Sequence, residues 1–274
     1  MNGWEAVLLG FVQGMTEFLP VSSSGHLVLA KYFLGIEENG IAFEIFVHFG
    51  TLLAIVTVFK NDIVKIFKDT WFAVRSKNHH SEETHNAANG STLLWLLIIG
   101  NIPGAIIGFY FRGTFENTFA YPDFVCGALI ITGIILTISI FAKDKQQPLR
   151  VKQALMIGLA QVVAFFPGIS RSGTTISAGL FLGIQPVDSA RFSFLLAIPL
   201  ILGVSLVKFF ELLAAPPNMD QITTLIVGSI SAYLSGLVAI KWLLGVLKKG
   251  RFSRFAYYCF AVGAGAFTIK AIYF

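Results

Sequence analysis

Two apolar stretches, residues 4–36 and 152–184, are each broken near the middle by a polar, Pro-containing segment, and the two breaks coincide when the chain is shifted by 148 positions. The first break reads Leu19-Pro20-Val21-Ser22-Ser23-Ser24-Gly25-His26 and the second Pro167-Gly168-Ile169-Ser170-Arg171-Ser172-Gly173. The halves on either side are too short to cross a bilayer, which takes roughly 20 helical residues. Irregular backbone at membrane depth is tolerated only where protein or a water-filled cavity satisfies it. Both stretches therefore read as re-entrant helix pairs. The shift brings Gly10 onto Gly158, Gln13 onto Gln161, Phe18 onto Phe166, Ser22 onto Ser170, Ser24 onto Ser172 and Gly25 onto Gly173. It continues through Phe33-Leu34-Gly35-Ile36 on Phe181-Leu182-Gly183-Ile184, and into Ala42 on Ala190 and Phe46 on Phe194. Membrane composition alone favours Gly, Phe and Leu, but it does not produce coincident Gln, Ser, Ser and Gly at fixed spacing.

Six further stretches, near 41–59, 92–111, 123–142, 187–209, 222–243 and 253–274, are uninterrupted and apolar enough to span. Only 13% of the 274 residues are charged, and the mean hydropathy is +0.74; a soluble chain carries about 25% charged residues. The expected fold is an all-α polytopic membrane protein of six transmembrane helices plus two re-entrant pairs, forming one membrane domain over 1–274. The repeats run over about 4–60 and 152–209. The net charge of +5 marks cytoplasmic links, not a nucleic-acid face. Lys60, Lys65, Lys68, Arg75 and Lys77 follow the first span, Lys143, Lys145, Arg150 and Lys152 the third, and Lys248, Lys249, Arg251 and Arg254 precede the last. The links near 112–122 and 210–221 hold only Arg112. With the basic links inside, the first pair enters from outside and the second from the cytoplasm, so the repeats are inverted. The loop 61–91, with His79, His80 and His85, reads as a solvated cytoplasmic linker without metal-ligand spacing. Cys126 and Cys259 sit within apolar runs and read as buried helix residues. Met1 to Glu5 lacks the basic start of a cleavable signal.

Inverted broken helices should meet near the bilayer midplane. Ionisable groups there cost at least ~2.5–3.5 kcal/mol, so they default to functional sites. The first copy has Glu17, Ser23 and His26 where the second has Phe165, Arg171 and Thr174. Around them crowd Ser22, Ser24, Ser170, Ser172, Thr174 and Thr175, with Gly25 and Gly173 following in each break. Helix starts present free N–H groups and a positive dipole end, so two of them flanking Arg171 make an anion site suited to phosphate. Helix capping accounts for part of the Ser and Gly set, but for neither Arg171 nor His26. Phosphoryl transfer needs a nucleophile, a proton manager and charge neutralisation. Ser23 is the nucleophile candidate, Glu17 the base or cation ligand, His26 the acid for the leaving oxygen and Arg171 the phosphoryl clamp. Gln13, one helical turn from Glu17, could order it. Glu17 and Arg171 could also simply pair and lock the tips. His48 reads as a satisfied core histidine, and Glu44 and Arg191 as interfacial or structural.

At these residues the chain resembles the bacitracin-resistance type undecaprenyl-diphosphatases. The resemblance rests on Gln13-x-x-x-Glu17 with Pro20-Val-Ser-Ser-Ser-Gly-His26, on Pro167-Gly-Ile-Ser-Arg-Ser-Gly173-Thr-Thr175, and on Phe192-Ser-Phe-Leu-Leu-Ala-Ile-Pro199. It covers almost the whole chain. It implies a bacterial inner-membrane enzyme that converts a polyprenyl diphosphate, undecaprenyl diphosphate, to the monophosphate. Such an enzyme recycles the lipid carrier of peptidoglycan synthesis, from a site facing the extracytoplasmic side. Glu17, Ser23, His26 and Arg171 match catalytic positions, and Ser22, Ser24, Ser170, Ser172 and Thr175 phosphate contacts. The resemblance also implies a divalent cation, Mg2+ or Ca2+, with Glu17 as its protein ligand; Gln13 stands where relatives can carry a second acid. Bilayer lipids and the polyprenyl substrate are the partners expected, nucleic acid is not, and a homo-oligomer is left open by the sequence.

The rival reading is a transporter or flippase of a lipid phosphate, because inverted re-entrant repeats are also a transporter plan. Glu17, Ser23 and His26 supply more chemistry than passive anion binding needs. A purely structural scaffold has no use for a polar core.

Overall fold

The computed structural model describes residues 1–36, 41–75, 89–214 and 219–273, and among them every regular element is helical. The first broken stretch becomes α1 (Gly3–Phe18) and α2 (Ser23–Leu34). α1 stops because Pro20 pushes the preceding residue out of the helical region; Leu19 is extended at φ −66°, ψ 147°. α2 starts with the Ser22 hydroxyl accepting from Gly25 N–H and ends on left-handed Gly35. The second broken stretch becomes α8 (Val151–Val163) and α9 (Arg171–Phe181), the latter capped by Ser170 accepting from Gly173 N–H. At 1.5 Å rise per residue none of the four reaches the ~30 Å of a bilayer core. Each of the two expected stretches is therefore a pair of short helices separated by a break.

Between and after them lie α3 (Ile41–Val58), α4 (Lys60–Arg75), α5 (Gly90–Tyr110), α6 (Arg112–Thr118), α7 (Pro122–Ile138), α10 (Pro186–Ala214), α11 (Met219–Lys248) and α12 (Phe255–Tyr273). α5, α7, α10, α11 and α12 are each long and apolar enough to cross a membrane, and α3 with α4 makes a sixth candidate bent by 74° at the break. The start of the expected 61–91 linker is thus corrected: through Arg75 it is helix. Ile66 is buried, while Phe67, Trp71 and Phe72 stand exposed beside lysines, the pattern of a helix lying in the membrane interface. Two contacts hold α4 in place. Asp69 accepts from Gly90 N–H at 2.7 Å, and Asp62 pairs with Arg191, which gives Arg191 its structural role. The histidines at 79, 80 and 85 lie outside the described residues.

Small residues let the re-entrant helices approach the spans, as expected where lipid gives helices no hydrophobic reason to associate. A Cβ on Gly10 would stand 2.3 Å from the Gly228 carbonyl oxygen of α11. A Cβ on its repeat mate Gly158 would stand 2.0 Å from the Gly100 carbonyl oxygen of α5. The duplicated glycines thus mark equivalent close packings in the two halves. Cys126 and Cys259 are buried, free cysteines, as their apolar surroundings suggested.

Candidate functional site

The two breaks meet. A Cβ on Gly25 would fall 2.9 Å from Gly168 Cα, so the first tip abuts the second with no room for a side chain. Ser22 Oγ accepts from Gly168 N–H at 3.2 Å as well as from Gly25 N–H at 3.3 Å. In return Ser172 Oγ donates to the Leu19 carbonyl at 3.0 Å. Gly168 itself has φ +96° and faces Ala128 and the Val125 carbonyl, a position only glycine fills without strain. Thr132 of α7 closes the junction, donating to the Gly168 carbonyl at 2.8 Å and accepting from Ser170 N–H at 3.0 Å.

Across this junction a polar cluster is assembled. Glu17 accepts from Ser23 Oγ at 2.5 Å and Gln13 Nε2 at 3.1 Å through one oxygen, and from Arg171 Nη2 at 2.7 Å through the other. Both partners of the ion pair are nearly inaccessible, with side-chain exposures of 11% for Arg171 and 9% for Glu17. Charges this far from water need pairing and further hydrogen bonds, and Ser23 and Gln13 supply them. Arg171 also donates to the Ser193 carbonyl at 3.4 Å. The expected pairing of the two tips by these charges is therefore real, and it coexists with a hydroxyl aimed at the carboxylate.

A cavity of about 230 Å³ opens beside the cluster, lined by Glu17, Ser22, Ser23, Ser24, Ser170 and Arg171 and walled by Phe165, Leu200, Ile201 and Val204. Phe119, from the link that carries little positive charge, also borders it. That volume falls below the ~300–1,000 Å³ usual for whole ligands, and suits an anionic head group whose chain extends elsewhere.

The remaining hydroxyls stand behind the cavity. Thr174 donates to the Ser170 carbonyl at 2.7 Å, Thr175 shares a 2.6 Å bond with Ser193 Oγ, and Ser172 is used by Leu19. With Gly25 and Gly173 they build the framework of the junction. Gln13 is fully buried and reaches the site through Glu17. Its repeat mate Gln161 donates instead to Asn101 Oδ1 at 3.5 Å.

The histidines exchange places relative to expectation. His26 points out of the far side of the α1–α2 turn. Its Nδ1 meets the Ser22 carbonyl at 2.8 Å, so this nitrogen carries the proton, and Nε2 meets Tyr258 OH at 2.9 Å. The rings of His26 and Tyr258 lie nearly parallel, 9° apart with centroids separated by 5.5 Å. His48, read as a core residue, lines the Glu17 cavity. Its Nδ1–H donates to the Glu44 carbonyl at 2.7 Å, which leaves Nε2 as the ring nitrogen available to the cavity. Nothing in the motifs flags His48. Thr132 had a weak signal, as one of three hydroxyls, with Thr137 and Ser139, in the apolar run 123–142.

Among the described residues no group of three or more His, Cys, Asp or Glu is assembled for a metal. The oxygen donors present are Glu17 and Gln13 Oε1, a buried atom without a hydrogen-bond partner. Two hard oxygens fit a cation whose remaining ligands come from substrate phosphates and water, not a closed protein cage.

Comparison with known proteins identifies the family. The family described as bacitracin resistance protein BacA matches residues 6–265. A Salinibacter ruber protein named undecaprenyl-diphosphatase is 38% identical over 96% of this chain and 97% of its own length. A Halothermothrix orenii protein of the same name is 38% identical over the full length of both chains. A third, from Desulforapulum autotrophicum, is 39% identical over 96% of each. The matched span takes in nearly the whole chain, and the chain belongs to the bacitracin resistance protein BacA family.

Proposed function

We infer that this chain is a multi-pass membrane phosphatase that hydrolyses undecaprenyl diphosphate to undecaprenyl phosphate and inorganic phosphate. The family and the names of its relatives support the reaction. The observation that carries our reading of the chemistry is the Ser23 hydroxyl donating to Glu17, whose other oxygen is held by Arg171 from the opposite repeat.

The terminal phosphoryl group enters the 230 Å³ cavity with its chain against the apolar walls. Arg171 turns part of its guanidinium fork to the phosphoryl oxygens, leaving Glu17 with Ser23 as its chief partner. Ser23 Oγ attacks the terminal phosphorus and its proton passes to Glu17. The bond from that phosphorus to the bridging oxygen breaks, and the bridging oxygen leaves on undecaprenyl phosphate. Water then attacks the phosphoserine, gives a proton to His48 Nε2, and releases inorganic phosphate. Glu17 returns its proton to the departing Ser23 oxygen. A divalent cation, when bound at Glu17 and Gln13 Oε1, would supply charge neutralisation for the diphosphate. Chelation should abolish turnover and added Mg2+ or Ca2+ restore it.

The bacterial inner membrane, with the catalytic cavity facing the extracytoplasmic side, is the setting we propose. Positive charge on the opposite links supports that orientation. Phosphate release from undecaprenyl diphosphate in detergent tests the function. Wild type should turn over and Ser23→Ala, still folded, should not. A wild-type protein that binds the lipid yet releases no phosphate would favour a transporter.

A further inference from the structure

A second cavity, of about 580 Å³, lies on the other side of the α1–α2 turn. Thr16 lines both cavities, so a single helix and a single turn separate them. The catalytic cavity is bordered by Phe119 from a link poor in positive charge, whereas this one ends at Arg251 and Arg254 in the basic link before α12. Neither arginine has a carboxylate within ion-pair distance among the described residues, and both are exposed. Between that rim and the turn the walls are apolar, formed by Val12, Met15, Trp242 and Phe255. The His26–Tyr258 pair also lines it. His26 is anchored to the Ser22 carbonyl, one residue before the catalytic serine.

We propose that this cavity is a second lipid site, which takes the polyprenyl monophosphate product with its head group between Arg251 and Arg254 and its chain along the groove between α1 and α11. Basic pockets between membrane helices select lipid head groups by charge. Two guanidinium forks match a terminal phosphate monoester, which offers three oxygens and nearly two charges, better than a phosphodiester with one charge. The groove is lined by apolar side chains such as Phe11, Val12, Met15 and Trp242, which suit an isoprenoid chain. This assignment rests on the phosphatase reading, since that reaction makes the ligand. A product held here leaves the catalytic cavity open and touches the turn that carries Ser23.

Native mass spectrometry of the whole protein in detergent, titrated with undecaprenyl phosphate, counts the sites. Wild type should bind two equivalents, one in each cavity. Arg251→Gln with Arg254→Gln should lose one equivalent, or weaken it at least about tenfold, while hydrolysis of farnesyl diphosphate is unchanged. Arg251→Lys with Arg254→Lys should keep the second equivalent. Two equivalents of unchanged affinity in the Gln variant would overturn the proposal, as would equal displacement by phosphatidylglycerol. In wild type, a photoactivatable undecaprenyl phosphate should label the Trp242 and Phe255 peptides; labelling confined to Phe165 and Ile201 would also overturn it. Failure of wild type to hydrolyse undecaprenyl diphosphate would instead refute the underlying function.

Discussion

The two tips began as copies and now divide the labour. In the second tip Ser170 caps its helix in relaxed backbone, at φ −75° and ψ 119°. Ser172, Thr174 and Thr175 are buried and spent on carbonyls or on Ser193. In the first tip the equivalent cap, Ser22, is forced to φ 69° and ψ 100°. Non-glycine residues held in such sparsely populated regions cost of order 1–3 kcal/mol and persist only where surroundings over-determine them. Here the surroundings are two N–H groups on the Ser22 hydroxyl, and the His26 imidazole with the His26 N–H on its carbonyl. The strained residue immediately precedes Ser23, whose hydroxyl it delivers to Glu17. One tip is therefore a satisfied scaffold that lends an arginine, and the other a strained turn that presents Ser23, the group we propose reacts. Equal ancestry fixes position; divergence in a few side chains fixes chemistry.

The sharpest way to break this division is to remove what the scaffold lends. Arg171→Ala leaves Glu17 buried without its counter-charge, at a cost of roughly 3–5 kcal/mol. Phosphate release should fall by at least ~10²-fold with the loss of the phosphoryl clamp. Arg171→Lys should restore stability, read by thermal unfolding, better than it restores turnover, because the ammonium keeps the charge but not the fork. Gly168→Ala comes next. Its Cβ would lie 2.6 Å from Ala128 Cβ and from the Val125 carbonyl oxygen, at φ +96°. The tips should separate, and thermal stability and turnover should fall together. Thr132→Val leaves the Gly168 carbonyl and Ser170 N–H unpaired, costing about 1–3 kcal/mol; thermal unfolding should register it with a smaller loss of turnover. Asp62→Asn, which belongs to neither tip, should change stability by no more than ~1 kcal/mol and leave phosphate release intact.

Much of this site can be read before folding because membranes make polar residues conspicuous. Glu17, Ser23 and Arg171 stand out as polar groups in apolar stretches, and the duplicated Gln, Ser and Gly positions tie the two stretches together. Side-chain direction is harder. His26 belongs to the motif and His48 does not, yet the turn at Ser22 sends the first imidazole to Tyr258, while the register of α3 brings the second to the cavity. No spacing within one segment encodes which face of a turn another helix will occupy. The α4 helix was legible in principle, since Ile63, Ile66 and Phe67 recur at helical spacing, but its lysines resemble those of a solvated link. Ser193 and Thr132 act through partners that lie 18 and 38 residues away along the chain, pairings that exist only once α10 and α7 have packed against the second tip.

One hydroxyl from each tip tests the central claim most directly. Phosphate release from undecaprenyl diphosphate should be measured side by side for Ser23→Ala and Ser172→Ala, with folding verified for both. The account predicts that Ser23→Ala loses at least ~10³-fold in turnover, whereas Ser172→Ala, which gives up its bonds to the Leu19 carbonyl and Ser170 Oγ, retains most of it. Persistent turnover in Ser23→Ala, or equal loss in the two variants, would contradict the division between a reacting tip and a supporting one.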